Sequence, residues 1–191
     1  MILAFDTSAA HVAAALLDRD NLRAARSEDM SRGQAERLLP LLAELLDEAG
    51  ATWSDVTRIG VGIGPGNFTG IRISVATARG LALGLGRPAV GVSLFDTTRD
   101  LGATRCTAVP APRGQLYLFD PDTMQTPELR DMAQAPACAR SDTFDPLTHV
   151  VQIARIAARA PADGPRPAPL YVRPADAAPA SDPPPVILDD A

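Results

Sequence analysis

The sequence of 191 residues contains no lysine, and all 18 of its basic residues are arginine. A Walker A loop needs a lysine that reaches the bound phosphates, so a P-loop nucleotide site is excluded. Histidine is almost as scarce, because only His11 and His149 are present and they stand far apart. Metalloproteases hold zinc with clustered histidines, and we therefore expect neither a metal site nor metal-dependent peptidase activity.

Cysteines and long apolar runs are also few. Cys106 and Cys138 show neither CxxC nor metal-ligand spacing, which predicts two reduced, buried thiols in a cytoplasmic protein. The first residues, MILAFDTS, lack the basic region of a signal peptide. No apolar run approaches the roughly 18 residues of a membrane span. We therefore expect a cytoplasmic location and no membrane contact.

Two further absences narrow the function. Ser8 and Ser93 have no evident His/Asp partner, so a hydrolytic triad is unsupported, and we assign no catalytic residue. The net charge of −5 argues against a chain that grips nucleic-acid phosphates over a wide face by itself. Hydrophobic content of 46% and charged content of 21% are typical of globular proteins.

What the sequence does contain is a short apolar strand, a glycine-rich loop and a long helical pattern between Arg58 and Leu85. The loop consists of Gly64, Pro65, Gly66, Asn67, Phe68, Thr69 and Gly70. Its glycines allow sharp turns or close approach, and Asn67 or Thr69 can cap the helix that follows. The spacing is not GxGxxG, because Asn67 stands in place of the third glycine. Two interpretations stay open: a cradle for an anion or a partner's backbone, and a tight turn that needs glycine for its geometry alone.

The helix predicted at 69–85 is apolar on nearly every side, and its only charged residues are Arg72 and Arg79. Such a helix must be covered all round. A sheet can cover one face, and small residues such as Ala76 and Gly80 permit another helix to come close elsewhere. That second helix is either the one predicted at 32–49 or a helix of a partner.

The remaining elements follow from periodicity and turn signals. A capping box from Ser31 to Gln34 is predicted to begin the helix at 32–49, which Pro40 should kink and Gly50 should end. We predict strands at 2–6, 11–18, 21–28, 58–62, 89–92, 104–109 and 115–119, and further helices at 94–101 and 148–160. This order describes an α/β layer architecture with a mixed sheet.

The string from Gly62 to Ala82, GxGPGNFTGIRISVATARGLA, resembles the GPGSFTGxRIGxAxAKGLA signature of the TsaB family of tRNA threonylcarbamoyladenosine biosynthesis proteins. Asn67 replaces the usual serine and Ser74 the usual glycine. The resemblance covers most of residues 1–120. It continues at Met1–Ser8 and Ala35–Leu42, and more weakly at Arg113–Tyr117 and Leu170–Arg173.

The resemblance implies an actin-like ATPase fold (ASKHA, ribonuclease H-like) with two lobes, of which the second is reduced. We expect an N-terminal lobe at 1–102, a reduced C-terminal lobe at 103–175, and an extended, loosely held Pro/Ala-rich tail at 176–191. Two hairpins, one in each lobe, match the duplication that such a fold requires.

Asp6, Thr7 and Ser8 end the first strand and resemble the first phosphate loop of actin-like ATPases. The alternative is a hairpin turn whose side chains bond their own backbone. In the second hairpin Pro110 stands where relatives carry aspartate, which removes a carboxylate that could hold a metal-bound phosphate. The first hairpin turn is therefore interpreted as a vestigial nucleotide loop. No cofactor is expected, with ATP bound weakly or only within a complex.

The resemblance further implies a non-catalytic scaffold of the bacterial complex that forms N6-threonylcarbamoyladenosine at position 37 of tRNAs decoding ANN codons. TsaD would transfer the threonylcarbamoyl group as the heterodimer partner, TsaE would supply an ATPase cycle, and tRNA would be bound indirectly. Residues expected at the partner interface are Arg72, Ala76, Arg79, Gly80, Leu38, Leu42 and Leu45. The alternatives are a homodimer formed by the chain alone, and a small actin-like ATPase or kinase that uses Asp6 and the glycine loop.

Overall fold

The computed structural model describes residues 1–161 and 163–172 of the chain. Its strands and helices, in chain order, are β1 (Ile2–Asp6), β2 (His11–Asp18), β3 (Asn21–Asp29), α1 (Gln34–Glu48), β4 (Arg58–Gly62), α2 (Phe68–Leu85), β5 (Ala89–Val92), α3 (Leu94–Gly102), β6 (Thr107–Ala111), β7 (Gln115–Phe119), β8 (Glu128–Asp131), β9 (Ala139–Arg140) and α4 (Pro146–Arg159). The tail expected at 176–191 lies outside the described residues. None of the described helices is long and apolar enough to cross a membrane.

The first sheet has five strands in the order β3-β2-β1-β4-β5. β1 runs antiparallel to β2 and parallel to β4, so that Ala4 lies between Ala15 of β2 and Gly60 of β4. Both faces of the central strands are covered, and every residue of β2 from Val12 to Leu17 is buried. A strand covered on both faces has no solvent side, which explains its nearly continuous apolar sequence.

Helices form a layer on each face of this sheet. α1 packs on one face through five buried leucines, and burial of each such side chain contributes about 1.5–3 kcal/mol. α4 packs on the other face through Val150, Ile153 and Ala154. A Cβ atom at Gly60 would lie 3.0 Å from Cβ of Ala157, so this glycine allows α4 to come close to β4.

The second sheet is smaller, with four strands in the order β8-β7-β6-β9. β6 and β7 form the predicted second hairpin across the turn Pro112–Gly114. β9 adds only two residues, parallel to β6. Phe95 of α3 packs against Val109 and Tyr117 on one face of this sheet. The structure is therefore a mixed α/β architecture with two mixed sheets, of which the second is the smaller.

The division into lobes at 1–102 and 103–175 stays a prediction. α4 belongs by sequence to the second of these segments, but it packs on the first sheet. His149 in its first turn bonds both Thr97 of α3 and the carbonyl of Ser141 beside β9. The two sheets are thus joined by shared helices.

The beginning of α1 differs from the prediction. The helix starts at Gln34, its N-cap is Gly33 with φ of 80°, and no side chain caps it. The capping box predicted from Ser31 is therefore wrong. A left-handed residue is needed where the chain turns into α1, and glycine adopts that conformation without strain. Pro40 lies inside α1, with its ring on the solvent side.

The prediction of two reduced thiols is wrong in this structure, because Cys106 and Cys138 form a disulfide. Their Cα atoms lie 4.9 Å apart, within the range that a disulfide spans. Cys106 precedes β6 and Cys138 precedes β9, and the amide of Ala139 donates to the carbonyl of Cys106. The bond therefore fixes the short strand β9 to the edge of the second sheet.

This disulfide should be detectable as two protected thiols. Alkylation of the denatured, unreduced protein should add no label, and alkylation after reduction should add two, as read by mass spectrometry. A cross-link over 32 residues contributes roughly 3–4 kcal/mol by loop-closure entropy. Cys106→Ser should therefore lower the melting temperature without reductant and change it little with reductant. Two labels on unreduced protein would contradict the pairing.

His149 should make stability depend on pH. Burial lowers its pKa, which outweighs the opposing effects of the Ser141 carbonyl, Asp6 and Asp145, whereas His11 lowers it further. The folded pKa is thus below the unfolded value of about 6.5. The stability that His149 contributes is therefore fully present above about pH 6.5, and it is lost as the pH falls from there towards the folded pKa.

The measurement is urea unfolding between about pH 7 and 5. His149→Gln keeps a donor for the Ser141 carbonyl but does not titrate, so its stability should fall less over this range. An equal fall in both proteins would show that His149 is not the group responsible.

Candidate functional site

The candidate site is the turn of the first hairpin, where β1 passes into β2. Asp6 is buried, and its Oδ2 accepts hydrogen bonds from the amide (3.2 Å) and the hydroxyl (2.9 Å) of Ser8. Nε2 of His11 lies 3.0 Å from the same oxygen. Thr7 donates its hydroxyl to the carbonyl of Gly70 at 2.6 Å. The three residues therefore bond their own turn and the start of α2.

The glycine loop packs directly on this turn. A Cβ atom at Gly66 would overlap the carbonyl oxygen of Ser8, and one at Gly70 would overlap that of Thr7. The amide of Asn67 donates to the Ser8 carbonyl at 2.6 Å. The glycines are thus used for close contact between two backbone segments of the same chain. This geometry accounts for the glycines at 66 and 70 without a bound anion.

Asn67, one of the two residues predicted to cap α2, is its N-cap. Its side-chain oxygen accepts from the amide of Gly70 at 3.0 Å. Gly64, in the same loop, has φ of 93°, a conformation that favours glycine. Ser74, which departs from the family signature, is buried and donates to the carbonyl of Gly62 at 3.0 Å. The hydroxyl therefore joins α2 to the end of β4.

Gln34 is the residue of this site that sequence reasoning did not identify. Its amide nitrogen lies 2.7 Å from the carbonyls of both Ala9 and His11, and 3.4 Å from that of Thr7. A polar side chain at the first turn of an otherwise amphipathic helix was the available signal. With this bond the hairpin turn is held by α1 on one side and by the glycine loop on the other.

One atom of the site is unsatisfied: Oδ1 of Asp6 is buried and has no hydrogen-bond partner among the described residues. It points at Gly62, where a Cβ atom would overlap it. A nucleotide of the kind that actin-like ATPases hold needs a carboxylate oxygen that faces the metal-bound phosphate. Here that oxygen faces the backbone, and Pro110 occupies the corresponding place in β6. The residues present do not fit a magnesium-bound nucleotide.

Potential metal ligands are similarly dispersed. Within residues 1–161 and 163–172, no group of three or more His, Cys, Asp or Glu side chains is placed to hold a metal ion. His11 is committed to Asp6, and His149 is buried between Thr97 and the Ser141 carbonyl.

The residues expected at a partner interface separate into two groups. Arg72, Ala76, Arg79 and Gly80 are exposed on one face of α2. Leu38, Leu42 and Leu45 are fully buried beneath the first sheet, so they are not on any surface of the folded chain. The assignment of these leucines to an interface is therefore wrong. The apolar stripe of α1 that the periodicity revealed is the core-facing stripe.

The C-terminal described segment, residues 164–172, lies along α2. Arg72 stacks over the Phe68 ring at 3.8 Å, and its Nε donates to the hydroxyl of Tyr171 at 3.0 Å. The rings of Phe68 and Tyr171 stack with centroids 4.6 Å apart. Arg79 donates to the carbonyl of Pro167 at 2.7 Å. The exposed surface around α2 is therefore built from two distant parts of the sequence.

Residues 27–168 match the family described as TsaD, tRNA N6-adenosine threonylcarbamoyltransferase. A curated relative, the tRNA threonylcarbamoyladenosine biosynthesis protein TsaB of Escherichia coli, is 38% identical over 122 residues, which are 61% of this chain and 52% of that protein. TsaB of Bacillus subtilis is 33% identical over 120 residues, with the same coverage. The matched region thus spans about half the length of these curated relatives.

Solved structures agree with the fold. YeaZ from Pseudomonas aeruginosa superposes with a TM-score of 0.64 at 25% identity, covering 82% of this chain and 91% of that chain. A second structure, described as similar to the peptidase YeaZ from Pseudomonas aeruginosa, gives 0.69 at 24% identity, with coverage of 90% and 99%. The predicted actin-like α/β fold class is confirmed.

Two glycines of α2 offer a matched test of the packed turn. Gly70→Ala should destabilise the protein by about 1–3 kcal/mol or more, because its methyl group would overlap the Thr7 carbonyl. Gly80→Ala should stabilise it by roughly 0.5–1 kcal/mol, because nothing lies within 4 Å of the added methyl and alanine favours the helix. Chemical denaturation measures both. Equal effects of the two changes would contradict the close contact at Gly70.

Proposed function

We propose that this chain, which belongs to the TsaB/YeaZ family, acts as a non-catalytic subunit that binds and activates TsaD in the formation of N6-threonylcarbamoyladenosine at tRNA position 37. Curated relatives carry the name tRNA threonylcarbamoyladenosine biosynthesis protein, which supports a role in this modification. In this proposal TsaD carries out the transfer, TsaE supplies the ATPase cycle, and tRNA reaches the chain only through the complex. The location proposed is the cytoplasm.

The observation that carries the proposal is the exposed face of α2. Helices of a monomer normally place apolar side chains against the core, but Leu83 is 86% exposed on this face. Gly80 and Gly84 leave open space above the helix. Small residues on this face allow the backbone of a partner helix to come close. The arginines beside them belong to a residue type that is enriched at protein interfaces. α1 adds Leu39, which is 48% exposed.

The candidate site supports a role without its own phosphoryl chemistry. Phosphoryl transfer depends on cationic groups or metals that neutralise the transferred phosphate. Asp6 is instead bonded to Ser8 and His11, and the turn that would receive a phosphate is filled by the glycine loop. A turn whose hydrogen bonds are made mostly within the chain supports a subunit that binds a partner without phosphoryl chemistry of its own.

A calorimetric titration separates this proposal from a small ATPase or kinase acting alone. When the isolated chain is titrated with ATP and magnesium, we expect no binding that depends on the first hairpin turn. Binding that is lost in Asp6→Ala, together with turnover of ATP, would favour the enzyme. A homodimer formed in the absence of TsaD would be detected by sedimentation.

Ala76→Arg tests the docking face directly. The change introduces a charge and a long side chain at an exposed position in the middle of α2. Burial of an unpaired charge costs several kcal/mol, and each ~1.4 kcal/mol is about tenfold in affinity. The variant should therefore bind TsaD about a hundredfold more weakly or worse, and modified adenosine should fall in proportion.

The matched control is Ala133→Arg, the same change at an exposed alanine that follows β8 in the second sheet. Both variants should keep the circular dichroism spectrum and melting temperature of the unmodified protein. Normal TsaD binding by folded Ala76→Arg protein would show that TsaD does not dock on this face of α2.

A further inference from the structure

A cleft lies at the C-terminal end of α2, away from the first hairpin turn. It is a cleft of about 530 Å³ between the last turns of α2, the residues that lead into β5, and the segment 164–172. Three arginines line it: Arg79 from α2, Arg87 from the turn after the helix, and Arg166 from the C-terminal segment. None of the described residues that line it carries a carboxylate. This volume is within the range of small-molecule sites.

Asp163 precedes the lining residue Gly164, but among the described residues it forms no salt bridge with a cleft arginine. Between Asp55 and Asp96 the chain contains no acidic residue. Arg26 bonds Glu44 and Glu48, and Arg37 bonds Glu28, whereas other arginines, such as Arg23 and Arg155, form no salt bridge among the described residues. Among the described residues, none of the three cleft arginines forms a salt bridge with a carboxylate. A protein of net charge −5 therefore concentrates three guanidinium groups in one concave place.

The end of the helix does not account for this arrangement. Cations are favoured near helix C-termini, where carbonyl groups are unpaired. Here two of those carbonyls are already bonded by the backbone, because the amide of Arg87 donates to the carbonyl of Ala82, and that of Gly86 to the carbonyl of Leu83. Arg166 moreover comes from a separate segment, which is held in place by the bond from Nε of Arg79 to the Pro167 carbonyl.

We propose that this cleft binds a small molecule that carries a phosphate group on an apolar body. Guanidinium groups form paired, charge-assisted hydrogen bonds to phosphate oxygens, and three of them suit a group of more than one negative charge. Leu83, Pro88 and Pro167 supply apolar lining beside the arginines. A cleft of about 530 Å³ fits one phosphate group and its substituent better than the extended backbone of a nucleic acid. This inference does not rest on the proposed role with TsaD.

The test uses the full chain alone and two probes, inorganic phosphate and phenyl phosphate, in calorimetric titrations at low salt. Phenyl phosphate should bind at one site, and more tightly than inorganic phosphate. Arg87→Gln and Arg166→Gln should each weaken its binding about tenfold or more, since each removes a charge-assisted partner. Leu83→Ser should weaken the binding of phenyl phosphate and leave the affinity for inorganic phosphate unchanged.

Arg23→Gln is the control, because Arg23 is an exposed arginine of β3, remote from the cleft, and its loss changes the net charge equally. It should bind phenyl phosphate as the unmodified protein does. Absence of saturable binding, or equal weakening by Arg23→Gln, would overturn the proposal and identify the arginines as a general cationic surface. TsaD binding by the same variants is measured separately, so failure of either proposal is distinguishable from failure of the other.

Discussion

The rest of the molecule depends on one contact between backbones, in which the glycine loop at the start of α2 lies against the turn of the first hairpin. The carbonyls of Thr7 and Ser8 occupy the space that side chains at 70 and 66 would take. Bonds from Asn67 and Thr7 cross the same junction in opposite directions. Because this junction orients α2 on the sheet, it also decides which face of that helix is left towards solvent.

The same junction also uses polar groups of the first hairpin turn for contacts within the chain. In a ligand-binding version of this geometry, unpaired amides of a glycine loop and a nearby carboxylate would face a phosphate. Here the amide of Asn67 in the loop donates to the carbonyl of Ser8 in the hairpin turn. On the side of α1, the side-chain amide of Gln34 donates to the carbonyls of Ala9 and His11. Oδ1 of Asp6 has no hydrogen-bond partner among the described residues, and it points at Gly62. The polar groups of the turn are therefore largely used in hydrogen bonds within the chain.

Much of the fold could be predicted from the sequence, because periodicity reports burial within one element. The strands of the first sheet, the second hairpin and all four helices lie close to their expected positions. Features that depend on residues distant in sequence could not be predicted. The leucines of α1 show the correct stripe, but periodicity does not say whether a stripe faces the chain's own sheet or a partner, and Leu38, Leu42 and Leu45 face the sheet. The pairing of Cys106 with Cys138 depends on a parallel contact of two residues between β6 and β9.

The position of the C-terminal segment along α2 has a consequence for the order in which the surface is made. Phe68 and Arg72 are synthesised about half a chain earlier than Tyr171, which stacks with one and bonds the other. Folding during synthesis proceeds from the N-terminal side. A nascent chain on the ribosome therefore carries α2 with its aromatic ring uncovered, and the finished surface exists only after residues 164–172 have left the exit tunnel. A protein that recognises the composite surface therefore distinguishes chains that have folded residues 164–172 onto α2 from chains that have not.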